Sequence, residues 1–139
     1  APESKASVDV RVPTKEDAER IESIIHAIRA ETPGTEVEIE GSVRRPPMER
    51  TPGNQRLWRL ARRGAEELGI DIEQAAAGGG SDGNTTSQLT PTLDGLGAVG
   101  AGAHAVNEHL LLEKMVERSA LLARLMSFPP LDEVVPASD

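Results

Sequence analysis

The sequence predicts an α/β chain. Apolar and polar residues alternate at 7–12 and again at 36–40, which is the pattern of half-buried strands. Between these segments, residues 14–32 place apolar side chains at helical spacing, and the same spacing recurs at 54–69 and at 114–127. Strand and helix patterns that alternate along one chain are typical of the α/β class.

The first strand is expected over residues 7–12. Val8, Val10 and Val12 fall on one of its faces, while Asp9 and Arg11 fall on the other. We expect the following helix to cover one face of the sheet and Arg11 to lie on the opposite, polar face.

That helix has a recognisable beginning and end in the sequence. Thr14 is suited to the N-cap, and Asp17 stands three residues later, in the position of a capping box. Pro33 and Gly34 are expected to end the helix. Its inward stripe would consist of Ala18, Ile21, Ile25 and Ile28.

A domain boundary is expected near Pro46. The alternation at 36–43 completes a strand-helix-strand unit, and the segment RRPPMERTPGN that follows is typical of a linker or a long ordered loop. We therefore assign residues 1–45 to one domain and residues 46–139 to a second.

The second domain is expected to begin with a helix that has Asn54 near its start and Gly69 just after its end. After this helix we expect a short strand, a glycine-rich loop at 78–83 and the start of another helix. A further short strand at 90–97 and a helix around 114–127 complete the pattern. The inward residues of the first of these helices would be Leu57, Ala61, Ala65 and Leu68.

Composition excludes several classes of function. The chain has 23 acidic and 15 basic residues and a formal net charge of −8, which disfavours a nucleic acid partner. It has no cysteine, so disulfides and thiolate zinc sites are excluded. No apolar run reaches the length of a membrane span, and the first residues lack the features of a signal peptide. Because strand-like alternation begins within the first residues, we expect a chain cut from a longer protein.

The glycine-rich loop at 78–83 is a candidate anion site. It lies between a predicted strand and a predicted helix start, where backbone N–H groups can hold an anion. It lacks the lysine of a P-loop and the spacing of a dinucleotide-binding loop, so a carboxylate is the better-matched anion. A flexible turn is an equally good interpretation. Arg11, Arg44 and Arg45 would each be a solvated surface arginine unless they converge on one anion.

His104 follows a run of glycine, alanine, valine and leucine at 95–103. Such small residues let the backbone approach a site closely, although a buried histidine satisfied by one hydrogen bond is the commoner case. The chain offers no paired-histidine metal motif. His26 and His109 are interpreted as surface or packing histidines, and Trp58 as a core or interface residue.

Four segments, in this order, carry a resemblance to a known family: ASVDVRVP followed by a helix, VRRPPME, AAAGGGSDGN and PTLDGLGAVGAGAHAVNEH. The sequence is similar to the zinc-dependent aminoacylase and carboxypeptidase family, which includes glutamate carboxypeptidase, acetylornithine deacetylase and succinyl-diaminopimelate desuccinylase. The likeness runs from Ala6 to about Met126. It implies a fragment of a two-domain zinc peptidase: residues 1–45 are the second half of an α+β lid domain, and residues 46–139 are the C-terminal part of an α/β catalytic domain.

The resemblance assigns substrate-binding residues. Arg11 matches an arginine of the lid domain that reaches the substrate carboxylate, and Arg45 matches an arginine assigned to substrate binding in the glutamate-cleaving members. Gly79, Gly80 and Ser81 match the glycine-rich loop that contacts the C-terminal end of the substrate. The implied substrate is an N-acyl amino acid or a peptide.

The resemblance also implies zinc. His104 corresponds to the family's C-terminal zinc ligand, and Glu108 to an acidic residue often found shortly after it. The family binds two zinc ions with further ligands from an aspartate, an HxD motif and acidic residues, and a glutamate of a Glu-Glu pair acts as general base in metal-assisted amide hydrolysis. Glu66 and Glu67 do not occupy that position.

Because these groups are missing, the chain holds no catalytic residue by this assignment, and the isolated chain is expected to be inactive. The resemblance further implies a homodimer formed through the lid domain. We also expect a cytoplasmic location and no membrane partner.

Two other functions fit the residues. The first is a non-catalytic interaction module, in which the edge of the strand-helix-strand unit pairs with another copy. The second is an acidic binding protein for small molecules, whose glycine loop holds a carboxylate or a phosphate.

Overall fold

A computed structural model describes residues 2–134. Its helices and strands are, in chain order, α1 (Lys15–His26), α2 (Pro52–Glu67), α3 (Gly83–Thr86), β1 (Gly100–Ala101), β2 (His109–Leu110), α4 (Leu112–Met126) and α5 (Leu131–Val134). The two strands pair antiparallel. Helices and a small sheet therefore share the chain, in agreement with the predicted α/β class. No helix among the described residues is long and apolar enough to cross a bilayer.

The chain divides into two compact units. Unit 1 consists of Ala1–Glu49 and Ala77–Gln88, and unit 2 consists of Arg50–Ala76 and Leu89–Asp139. The glycine-rich loop therefore belongs to the same unit as the N-terminal residues. The assignment of a lid domain at 1–45 and a catalytic domain after it stays a prediction.

The beginning of α1 follows the predicted capping pattern. The Thr14 hydroxyl oxygen accepts a hydrogen bond from the Asp17 backbone N–H at 3.1 Å. The carboxylate of Asp17 accepts from the Thr14 hydroxyl at 2.9 Å, and not from the Thr14 backbone as in a full capping box. Hydrogen bonds from Arg20 and then from Thr14 lower the pKa of Asp17.

The end of α1 lies before the predicted stop. The helix ends at His26, ahead of Pro33 and Gly34, and Ile28 is exposed. The Arg29 guanidinium donates hydrogen bonds to the carbonyl oxygens of His26 and Ile28, at 2.7 and 2.8 Å. An arginine just after a helix can satisfy its last carbonyl oxygens in this way, here that of His26.

The strands predicted at 7–12 and 36–43 are not formed in the structure. A strand requires a partner with which to exchange backbone hydrogen bonds, and no described segment of unit 1 pairs with either. Val8 and Val37 are accordingly 76% and 49% exposed. The short strands expected after α2 and at 90–97 are also missing from the described residues.

Helix α2 is anchored at both ends in unit 2. Thr51 is its N-cap, and its hydroxyl oxygen accepts from the Asn54 backbone N–H at 3.2 Å. Asn54 is buried, and its side-chain oxygen accepts from the Thr92 backbone N–H at 2.7 Å. Gly69 follows the helix with φ 67°, the left-handed conformation that the sequence predicted for it.

Helices α2 and α4 form the core of unit 2. Leu60, Ala61 and Ala65 of α2 are buried, as is Leu121 of α4. The Arg124 guanidinium lies 3.8 Å from the centroid of the Phe128 ring, within the range of a cation–π interaction. Beside the core lies an open apolar groove of about 220 Å³, lined by Leu57, Leu60, Leu93, Leu96, Leu122, Leu125 and Met126.

Leu121→Ala should destabilise unit 2 strongly. Leu121 is 0% exposed, so its truncation leaves a cavity and should lower the free energy of unfolding by about 2–5 kcal/mol. Chemical denaturation of the purified chain measures this. Leu122→Ala in the same helix is the control. Because Leu122 is 44% exposed, this variant should lose clearly less unfolding free energy. Equal losses at both residues would contradict the packing of α4.

Glu67 of α2 pairs with Arg124 of α4 and with Arg63 of its own helix. The Arg124 Nε donates to one of its carboxylate oxygens at 2.6 Å, and the Arg63 Nε donates to the other at 3.3 Å. The hydrogen bond from Arg124, with a smaller contribution from Arg63, lowers the pKa of Glu67 below its ordinary value of 4.5.

The Glu67–Arg124 pair should make the stability of the chain dependent on pH in the acid range. Because the pKa is lower in the folded state, the contribution of Glu67 is present above pH 4.5 and is lost as pH falls through the folded-state pKa. In denaturation series, wild type should exceed Glu67→Gln in stability above pH 4.5, and the difference should shrink below it. In a background that carries Arg124→Gln, most of this pH dependence should disappear. If the pH dependence persists in that background, Arg124 is not its cause.

Candidate functional site

Arg11 is fixed against the glycine-rich loop within unit 1. Its Nη1 donates a hydrogen bond to the Gly78 carbonyl oxygen at 2.8 Å. The Asp9 carboxylate accepts from Arg11 Nε at 3.1 Å and lies 3.0 Å from Nη2. This ion pair is exposed and contributes little stability, but it orients the guanidinium. Three of the five N–H groups of Arg11 are therefore engaged, and the other two are left for a ligand.

Arg45 lies against Gly80 of the same loop. A Cβ built on Gly80 would lie 2.6 Å from Nη1 and 2.9 Å from Cδ of Arg45. Only glycine leaves room for the guanidinium in this position. Within residues 2–134, no hydrogen bond or ion pair of Arg45 is found, so the charge of its guanidinium is uncompensated there.

Two amide side chains tie the proline segment to the loop. Asn84 donates from Nδ2 to the Pro46 carbonyl oxygen at 2.9 Å, and Gln88 donates from Nε2 to the Pro47 carbonyl oxygen at 3.1 Å. Since Pro46 follows Arg45 directly, these bonds hold the base of the Arg45 side chain near Gly80. No sequence motif singled out these two residues, although their place just after the glycine loop was a signal for them.

The loop itself uses part of its polar groups internally. The Ser81 backbone N–H donates to the Asn84 side-chain oxygen at 2.9 Å, and the Ser81 hydroxyl accepts from the Gly83 backbone N–H at 3.0 Å. Helix α3 begins here but has only 4 residues, too few for a strong helix dipole. The capacity of this region to bind an anion therefore lies mainly in the two guanidinium groups.

We call Arg11, Arg45 and residues 78–81 the arginine-glycine cradle. The structure places Arg11 and Arg45, both predicted to bind substrate, against the loop that contains the predicted residues Gly79, Gly80 and Ser81. Guanidinium groups match carboxylates geometrically, because two parallel N–H bonds can meet the two carboxylate oxygens. The cradle thus favours a small molecule with a free carboxylate.

His104 lies in unit 2, at the tip of a hairpin formed by β1 and β2. The register pairs Gly100 with Leu110 and Ala101 with His109. A Cβ on Gly100 would overlap the backbone carbonyl of His109, so glycine is required where the strands meet. The sequence did not predict this hairpin, because its small residues show no alternation.

The backbone of His104 has an unusual conformation. Among the described residues it is the one non-glycine residue with positive φ, 66°. The Glu108 carboxylate accepts a hydrogen bond from the His104 backbone N–H at 3.2 Å. The His104 side chain is exposed, and its imidazole has no hydrogen-bond partner within the described part of the chain.

The residues that the structure describes do not by themselves fit a metal centre. No group of three or more histidine, aspartate or glutamate side chains that could hold a metal occurs among residues 2–134. His104 offers one imidazole, whereas a zinc site needs three or four ligands. Glu108 lies closest in sequence, but its carboxylate is bonded to the His104 backbone.

The other two histidines and the tryptophan show no feature of a functional site. His109 Nδ1 lies 3.0 Å from the Asn107 carbonyl oxygen, and His26 is exposed at the end of α1. Trp58 is half-buried on α2.

Comparison with known proteins gives a match to a protein family. The model of peptidase family M20/M25/M40 matches residues 3–127, which is most of the chain and includes both the cradle and the His104 hairpin. No curated protein and no solved structure matches significantly.

Gly80→Ala should displace the Arg45 guanidinium and leave the fold intact, because its Cβ would meet the end of a flexible side chain. We expect the Arg45 Nε–Hε signal to shift in NMR spectra, with a change in unfolding free energy below about 0.5 kcal/mol. Gly79→Ala is the control, since nothing lies within 4 Å of a Cβ at that residue. A shift of equal size in both variants would contradict the contact of Arg45 with Gly80.

Proposed function

The chain belongs to peptidase family M20/M25/M40, and we propose that it is the C-terminal part of a zinc-dependent hydrolase. The reaction class of the family is the cleavage of an amide bond, and its members are metallopeptidases. The proposed substrate is an N-acyl amino acid or a peptide with a C-terminal, glutamate-like residue.

The arginine-glycine cradle is the observation that supports this substrate class. Arg11 and Arg45 both lie against residues 78–80, and a carboxylate bound there would compensate their charge. The cradle would hold the free carboxylate of the amino acid and so fix the position of the amide bond next to it. Such positioning is a large part of what an enzyme contributes to an amide hydrolysis.

The role proposed for His104 is to supply one ligand to zinc. Since no group of three or more potential metal ligands occurs among the described residues, the other ligands and the general base would come from a part of the protein outside this sequence. The 139-residue chain alone should therefore bind a carboxylate without hydrolysing an amide. Dimerisation through residues 1–45 and a cytoplasmic location belong to the same proposal.

Kinetics of the full-length protein with an N-acyl glutamate as substrate test the proposal. Arg45→Gln should raise KM about tenfold or more, because a charge-assisted hydrogen bond to the substrate contributes about 1.5–3 kcal/mol. The neighbouring Arg44→Gln is the matched control and should leave KM nearly unchanged. His104→Ala should abolish turnover, with His109→Ala as its control.

Two results would contradict the proposal. The first is hydrolysis by the purified 139-residue chain alone. The second is an equal rise in KM for Arg44→Gln and Arg45→Gln, since the cradle would then have no specific role. Binding of glutarate by the full-length protein without any amide hydrolysis would favour the second candidate, a carboxylate-binding protein, which the cradle supports without His104.

A further inference from the structure

The conformation of His104 requires an explanation. A φ of 66° is costly for a residue with a Cβ, and such residues persist only where neighbouring groups hold them. In the hairpin Gly102 also has positive φ, 72°, but a glycine adopts this conformation without that cost, whereas His104 does not. The backbone direction at His104 determines where its imidazole leaves the hairpin, so whatever holds φ also aims the side chain.

Glu108 contacts the tip of the hairpin through two of its groups. Its carboxylate accepts from the His104 backbone N–H at 3.2 Å, and its own backbone N–H donates to the Ala105 carbonyl oxygen at 3.1 Å. The Ala105 N–H donates in turn to the Gly102 carbonyl oxygen at 2.8 Å. The side chain of Glu108 thus satisfies the one donor that the left-handed turn leaves at His104.

The frame of the hairpin is held by other interactions. The Leu111 N–H donates to the Val99 carbonyl oxygen at 2.9 Å, beyond the two pairs of the strand ladder. Gly102, with φ 72°, allows the chain to turn beside Asn107. None of these contacts uses the Glu108 side chain, so the frame and the tip can be separated experimentally.

We propose that Glu108 is a positioning residue for His104. Its carboxylate binds the His104 backbone N–H, holds the left-handed conformation and so fixes the direction of the imidazole. The carboxylate acts through the backbone of His104 and is not itself a ligand. The geometric part of this proposal stands alone, and its consequence for zinc rests on the proposed function.

Amide exchange with solvent, measured by NMR on the labelled chain, tests the positioning. In Glu108→Ala the His104 amide should exchange about tenfold faster, the effect of one lost hydrogen bond. Glu108→Gln keeps a side-chain oxygen acceptor and should restore slow exchange to within about threefold of wild type. Glu108→Asp, which is shorter, should behave like alanine. Glu113→Ala is the matched control on the neighbouring helix.

The Leu111 amide distinguishes positioning from general support of the hairpin. It should exchange at the wild-type rate in every Glu108 variant. If it accelerates together with the His104 amide, Glu108 stabilises the whole hairpin and the proposal is wrong. An unchanged His104 amide in Glu108→Ala overturns it as well.

Zinc affinity of the full-length protein is the second measurement. Loss of a residue that orients a metal ligand typically weakens metal binding about 10- to 100-fold. Glu108→Ala should therefore weaken zinc binding by at least about tenfold, and Glu108→Gln should weaken it much less. If the amide exchange changes as expected and zinc affinity does not, Glu108 still positions His104, but the proposed role of His104 as a zinc ligand is wrong.

Discussion

Close approach to glycine backbone is the constraint on which both parts of the candidate site depend. Arg45 occupies the space that a Cβ of Gly80 would fill, and the His109 carbonyl occupies the space that a Cβ of Gly100 would fill. A larger residue would displace the guanidinium in the first case and separate the strands in the second. The small residues of the loop and the hairpin are thus required by what packs against them.

Charge in this protein acts locally. The chain carries a net charge of −8, yet the cradle places two guanidinium groups on one loop with only Asp9 to compensate them among the contacts described. Interactions between exposed charges are screened over about 10 Å at moderate ionic strength, so distant carboxylates weaken the attraction for an anion only slightly. The acidic surroundings disfavour extended anions such as nucleic acid, whereas a single small carboxylate interacts mainly with the nearby arginines.

Local signals in the sequence predicted local structure correctly. The N-cap at Thr14, the left-handed Gly69 and the helix around 114–127 each depend on neighbouring residues, and the structure contains all three. The strands at 7–12 and 36–43 depend on a partner elsewhere in the chain, and alternation alone cannot provide it.

Within the candidate site, both long-range and local contacts escaped prediction from the sequence. The resemblance pointed to the arginines and the glycine loop, but not to the tethers from Asn84 and Gln88, which span 38 and 41 residues. The hydrogen bond from His104 to Glu108 spans only 4 residues, yet no pattern of residue types marks it, because it depends on the φ of His104.

Each part of the candidate site is built within one unit of the chain. The cradle uses only residues of unit 1, and the His104 hairpin uses only residues of unit 2. Recognition of a carboxylate needs only a few donors, and in our proposal the two guanidinium groups of the cradle take that role. A zinc ion needs three or four ligands, and the hairpin would offer it the single imidazole of His104. The proposed carboxylate site would thus use residues of one unit alone, whereas the proposed zinc site would need more ligands than the described residues bring together.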